Sequence, residues 1–123
     1  MLKERIKYID YDGNEREEDF FFNLTKAEVL EMQLEVSGGY SSYIQRIIEA
    51  QNVPELISLF KKLILKSYGV KSDDGRRFIK TEALTAEFTQ TEAYSNFFTE
   101  LAMNADKAEK FVKGILPKDM QGE

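Results

Sequence analysis

Apolar and polar residues alternate from Ile6 to Tyr11, the period of a strand with one face buried and the other in water. Asp12-Gly13 follows, a strong hairpin signal because glycine accepts a positive φ without steric cost. The chain is therefore predicted to fold back there. The return strand starts solvated in Glu15, Arg16, Glu17, Glu18 and Asp19 and ends in Phe20, Phe21 and Phe22. Consecutive aromatic residues point to opposite faces of a strand, so both faces near Phe21 should be covered. Thr25 and Glu28 then stand at capping-box spacing, with Leu24 and Val29 placed to staple the turn, which starts a helix at Thr25.

Beyond this point the apolar period lengthens from two to about 3.6. A first helix from Thr25 to Val36 would turn Val29, Leu30, Leu34 and Val36 inward and stop at Ser37-Gly38-Gly39, where glycine takes the C-cap. Tyr40, Tyr43, Ile44, Ile47 and Ile48 then form the stripe of a second helix ending near Gln51, with Ser42 and Gln45 as its capping box. Asn52 and Pro54 open a third, whose stripe Leu56, Leu59, Phe60, Leu63, Ile64 and Ser67 runs to Gly69. Ile57 and Leu65 lie off that stripe, so this helix is either central in the fold or exposed to a partner.

Lys71 to Arg77 is a turn by composition, after which Phe78-Ile79 re-anchors the chain. Thr81 starts a short helix containing Leu84 and Phe88. Thr89 and Glu92 read as the capping box of a helix with Tyr94, Phe97, Phe98, Leu101 and Ala102 on one face. Asp106 and Glu109 read as the cap of the last helix, with Ala108, Phe111, Val112 and Ile115 inward and Pro117 ending it. The expected fold is α+β and mostly α: an N-terminal β-hairpin over residues 1–23, then five to six short helices over 24–116. These form one compact domain, 1–116, with a flexible tail at 117–123.

A chain of 123 residues with 42% hydrophobic content can bury a real core without metals or disulfides. Cysteine and histidine are both absent. That removes thiolate and imidazole metal ligands, Ser-His and Cys-His nucleophile pairs and the usual neutral-pH general base, so no catalytic, cofactor or metal residues are assigned and an enzyme is not expected. Asp10, Asp12, Asn14 and Glu17 resemble calcium ligands only superficially, since Gly13 falls too early for an EF-hand loop. Asp73-Asp74-Gly75 reads as a turn. Phe20 to Phe22, Tyr94, Phe97, Phe98 and Phe111 are at core spacing. The N-terminus lacks the apolar stretch of a signal peptide, and no window is long enough to span a bilayer, so a cytoplasmic protein with no membrane association is expected.

Charge is uneven. Residues 1–39 hold five bases and ten acids and residues 40–123 twelve of each, so the net −5 sits in the first third. Lys61, Lys62, Lys66, Lys71, Arg76, Arg77 and Lys80 face only Asp73 and Asp74, making one basic sector in an acidic protein. Three readings fit it: solvated helix faces, docking of one subunit's acidic sector on the next subunit's basic sector, or nucleic-acid binding, which the pI near 4.9 disfavours.

Three segments, DYDGNEREEDFFFNLTKAE at 10–28, KSDDGRRFIK at 71–80 and EFTQTEAYSNFFTELA at 87–102, resemble in order and spacing the small tail assembly chaperones of long-tailed phages and prophages of Gram-positive bacteria. The likeness spans Ile6 to about Ile115. The resemblance implies a non-catalytic morphogenesis factor made in the cytoplasm of the host cell, encoded just before the tape measure protein and absent from the finished virion. It would bind that long helical protein and keep it soluble until tail tube subunits polymerise around it. A longer frameshifted form would be a further partner, as would copies of the chain itself in a homo-oligomer. On that view Ile57, Leu65 and Tyr68 border the client surface, and Glu17, Glu18 and Asp19 face Arg76, Arg77 and Lys80 of a neighbouring copy. A phage- or prophage-encoded regulator or adaptor binding one host protein or nucleic acid is the alternative.

Overall fold

The alternation near the N-terminus builds strand β1, Leu2–Ile9, in the computed structural model, which describes residues 1–35, 49 and 53–117. Leu2, Ile6 and Tyr8 turn to the core side, while Lys3, Arg5 and Lys7 point to solvent. The hairpin turns at Gly13, whose φ of 86° lies in the left-handed region. The Asp10 carboxylate accepts hydrogen bonds from the Asp12 and Asn14 backbone N–H groups at 3.0 and 2.9 Å. Strand β2, Glu15–Phe22, pairs antiparallel with β1 in the register Leu2↔Phe22 to Ile9↔Glu15. This register sets Arg5 opposite Asp19 and Lys7 opposite Glu17 on the wet face, the cross-strand arrangement that stabilises a sheet.

The capping box forms as its spacing predicts: Glu28 N–H donates to Thr25 Oγ1 at 3.1 Å, and Thr25 N–H donates to Glu28 Oε1 at 2.9 Å. Helix α1, Lys26–Glu35, begins there, with Leu24 and Val29 both buried. Its inward face is Val29 and Met32; Leu30 and Leu34, expected inside, are exposed. The staple and an ion pair from Glu28 to Lys80 fix the roll of the helix, and at 100° per residue that rotation carries Leu30 and Leu34 outward. Val36, the glycine stop, the helix expected from Tyr40 to Gln51 and the Asn52 cap lie outside the described residues, except for Glu49, which is helical.

Helix α2, Val53–Ser67, buries Leu59, Leu63, Ile64 and Ser67, and the Ser67 hydroxyl donates to Leu63 O at 2.7 Å. It ends two residues before the predicted Gly69. Strand β3, Tyr68–Lys71, follows at once and pairs antiparallel with β4, Phe78–Ile79, so the segment read as a turn is a second hairpin. β3 also pairs with β2 through Phe21↔Gly69 and Phe22↔Tyr68, giving a four-stranded sheet in the order β1-β2-β3-β4. A strand of two residues has too little length to show a period, which is why the sequence hides it. Gly69 is required by close approach: a Cβ there would stand 2.6 Å from Phe78 Cε2 and 2.9 Å from Ile79 O.

Three helices complete the chain: α3, Glu82–Thr89, α4, Glu92–Met103, and α5, Ala105–Ile115. Thr81 caps α3 by accepting from Leu84 N–H, at the predicted start. The next two caps differ from the expected ones. Thr91 caps α4 by accepting from Tyr94 N–H, because Thr89 is the last residue of α3 and Gln90 its C-cap, so no helix starts there. Asn104 caps α5 in place of Asp106, since it is the single residue joining the two helices and serves as the C-cap of one and the N-cap of the other. These helices pack on the inner sheet face around the fully buried Phe22, whose ring lies 5.2 Å from Phe97, 5.4 Å from Phe111 and 5.9 Å from Phe88. The result is an α+β fold with an N-terminal antiparallel hairpin and five helices among the described residues.

Candidate partner-binding surfaces

The helices close the core beneath the sheet but leave an apolar seam on their far side. Leu56, Leu59, Phe60 and Leu63 of α2 face Ala105, Ala108 and Val112 of α5 across an opening of about 590 Å³. The last turn of α4 supplies the third wall through Leu101, Ala102 and Met103. Met103 is 82% exposed, the most exposed large apolar side chain among the described residues. Glu109 and Lys113 are the only charged groups of the lining, and they pair with each other at 3.0 Å. Sequence reasoning assigned the α2 and α5 stripes to the core, and Leu59, Leu63, Ile64, Ala108, Phe111 and Ile115 are buried there, while Leu56, Phe60 and Val112 at the stripes' edges are half-buried.

The three residues expected to border a client surface are not gathered in one place. Ile57 is half-buried on α2. Leu65 packs against the core cluster and lines a separate opening of about 390 Å³ with Lys80, Thr81 and Glu82. Tyr68 belongs to the aromatic core: its ring stacks on Phe88 with centroids 4.1 Å apart, and it lies 5.9 Å from Phe22. Burial, and then the nearby Glu87 carboxylate, raise its phenol above the ordinary value.

The acidic sector is engaged within its own hairpin. Arg5 Nε donates to Glu17 Oε1 at 2.5 Å and Arg5 Nη1 to Asp19 Oδ1 at 3.0 Å, while Glu18 accepts from the Tyr8 hydroxyl and from Arg16. The hydrogen bond from Arg5 holds the Glu17 carboxyl below the usual carboxylate range. Desolvation, followed by the hydrogen bond to Glu18, pushes the Tyr8 phenol up to about 12.

The basic sector divides in two. Lys80, expected to meet a neighbour, is instead a structural tie: its ammonium donates to Glu28 Oε2 and to Asn23 O at 2.7 Å each and lies 5.7 Å from the Phe78 ring centroid. Burial pushes the Glu28 carboxyl up, but Lys80 and the Thr25 N–H outweigh it and leave the group lowered. Lys62 and Lys66 reach Glu35 at 3.6 Å each. Arg76 and Arg77 stand exposed at the tip of the second hairpin. Their backbone N–H groups are held by Asp74 Oδ1 and Ser72 Oγ at 3.0 Å each, and neither guanidinium has an ion-pair partner among the described residues.

Asp10 and Asp74 are both occupied in turns, Asp10 also by Arg16 at 2.5 Å and Asp74 by the Ser72 hydroxyl at 2.7 Å. Among the described residues no cluster of acids is arranged to hold a metal ion, and no helix is long and apolar enough to cross a membrane.

An apolar seam and a pair of exposed arginines without an ion-pair partner among the described residues are features suited to contact between chains. The chain belongs to the phage tail assembly chaperones: that family's model matches residues 1–123. No curated protein and no solved structure matches it. The family acts during tail assembly and is in general non-catalytic.

Proposed function

We propose that this tail assembly chaperone binds the tape measure protein and keeps it soluble until the tail tube polymerises around it. The reading includes a phage or prophage of a Gram-positive host, action in the host cytoplasm and absence from the mature virion. The full-length family match carries it. An apolar seam among the helices and a charged outer sheet face supply the means: a long helical client exposes apolar stripes, and a domain with spare apolar surface covers them while its acids keep the complex in solution. The test is coexpression with the long helical protein encoded downstream. That protein should become soluble and copurify; a client that stays insoluble and unbound contradicts the reading.

Coating an extended client calls for many copies, and a head-to-tail contact that does not close would supply them. Arg76 and Arg77 of one copy against Glu17, Glu18 and Asp19 of the next is the contact proposed, with Lys80 removed from it by its tie to Glu28. The acids would exchange part of their pairing with Arg5 and Arg16 for the incoming guanidinium groups. Reversing both charges, Arg76→Glu with Arg77→Glu, should lower the molar mass seen in light scattering. An unchanged mass removes the electrostatic contact. The tail tube protein and a longer frameshifted form of the chain complete the proposed partners.

A further inference from the structure

The second hairpin joins the rest of the sheet at its base alone. β3 pairs with β2 through Phe21↔Gly69 and Phe22↔Tyr68, and among the described residues β4 pairs only with β3. Past Gly69 the two strands part. In the same register Val70 and Lys71 would meet Phe20 and Asp19, but these residues are not paired, and an opening of about 300 Å³ is lined by residues 18–21 of β2 and 68–71 of β3. The outer half of the hairpin, with Arg76 and Arg77 at its tip, stands off β2 as an arm, and its angle needs a second fixed point. Lys80, the residue after β4, supplies one. We propose that Lys80 is a positioning residue for the contact between copies: its clasp on α1 and on the end of β2 sets the angle at which the arm presents Arg76 and Arg77. The proposal rests on the self-association reading above and gives Lys80 an indirect part in it.

The clasp is built to hold a direction. The Lys80 ammonium donates at 2.7 Å to both Glu28 Oε2 and Asn23 O, and the Lys80 and Glu28 side chains are only 22% and 26% exposed. A charge sheltered from water and engaged by two acceptors keeps one geometry, unlike an exposed ion pair that exchanges with solvent. Both acceptors are themselves fixed. Glu28 Oε1 accepts from Thr25 N–H in the capping box, and Asn23 N–H donates to Ser67 O at 2.7 Å, where α2 passes into β3. The β2–β3 pairing therefore holds the first strand of the arm, and Lys80 the second. The arm is also stiff, so an angle set at its base reaches its tip. Ser72 N–H donates to Arg77 O at 2.8 Å and Gly75 N–H to Ser72 O at 3.0 Å, while the Ser72 hydroxyl accepts from Arg77 N–H and donates to Asp74 Oδ1. Presenting the two guanidinium groups from a fixed arm lowers the ordering cost of a contact. An arm freed at its base would meet that cost at every junction of an assembly.

The chain has no cysteine, so an introduced pair carries spin labels at chosen sites alone. The labels go on Asp73→Cys in the arm and Lys3→Cys on β1, both exposed, in chains diluted with unlabelled protein so that each distance lies within one copy. Spin-echo measurement should give one narrow distance distribution with Lys80 in place and one about twice as broad in Lys80→Met. Without labels, Lys80→Met should lower the molar mass in light scattering as far as Arg76→Glu with Arg77→Glu does. Ala108→Gly, which weakens the fold in α5 away from the arm, should lower the melting temperature at least as much and leave the mass unchanged, which separates position from stability. An unchanged width or an unchanged mass in Lys80→Met, or an equal fall of mass in Ala108→Gly, overturns the role of Lys80 and leaves the arginine contact standing. An unchanged mass on reversal of the two arginines overturns both.

Discussion

The closed core beneath the sheet and the open seam on the opposite side of the helices are built from the same kind of stripe. Under the sheet, the inward residues of α4 and α5 meet Phe22, and the rings of Phe88, Phe97 and Phe111 surround it completely. Across the seam, Leu56 and Phe60 of α2 and Val112 of α5 are only half-buried among the described residues, and Met103 stands in solvent. The difference is the third element: β2 closes one region, and no described element closes the other. Helical periodicity therefore says that a residue wants an apolar neighbour, but not whether the same chain provides it.

If the core side is truly closed, it should punish changes in volume in either direction. Phe22→Ala should have the largest effect, a loss of about 3–5 kcal/mol in urea denaturation, because a fully buried ring with four aromatic neighbours cannot be refilled by collapse. A loss near 1 kcal/mol would mean that this core is slack. Gly69→Ala tests overpacking at the β2–β3 junction. The new methyl would press on the Phe78 ring and the Ile79 carbonyl, for an expected cost of about 1–3 kcal/mol in the same measurement.

A smaller effect should follow the tie between the second hairpin and α1. Glu28 has its carboxyl lowered in the folded state, so its contribution is full above the unfolded value of 4.5 and is lost as pH falls through the depressed folded value. Lys80→Met should remove about 1 kcal/mol or less at neutral pH and should flatten this part of the acid limb in pH-dependent melting. An acid limb identical to wild type would show that the pair contributes nothing. Met103→Glu should leave stability within about 0.5 kcal/mol, the smallest change of the four, since the side chain is exposed. A large loss there would erase the contrast between closed core and open seam.

Much of the architecture was legible because it is written in local chemistry. Thr25 with Glu28 and the lone Thr81 announce helix starts through hydroxyl-to-backbone bonds that need no tertiary context. The stripes of α2, α4 and α5 were visible for the same reason. What escaped depends on neighbours. Thr89 looks like a cap until α3 is seen to run through it, and Asp106 looks like one until the single-residue joint at Asn104 is known. Tyr68 reads in sequence as bordering a client surface, but the edge of β2 draws it into the sheet and its ring into the aromatic core. Leu30 and Leu34 were read inward because their spacing is helical, although the roll of α1 is set elsewhere by Glu28 and Lys80. The arginines at the second hairpin tip are exposed, whereas Lys80, three residues on and grouped with them by composition, is tied to Glu28. Ile57 and Leu65 drew notice for lying off the stripe, while the open surface formed along it.

Amide hydrogen exchange on the purified complex with the tape measure protein gives the most direct test of how the client is held. Protection should rise in α2, in the last turn of α4 and in α5, and should stay unchanged in the β1–β2 hairpin where no other copy docks. Protection gained only in the hairpin, or nowhere in the chain, would contradict a client seated between these helices.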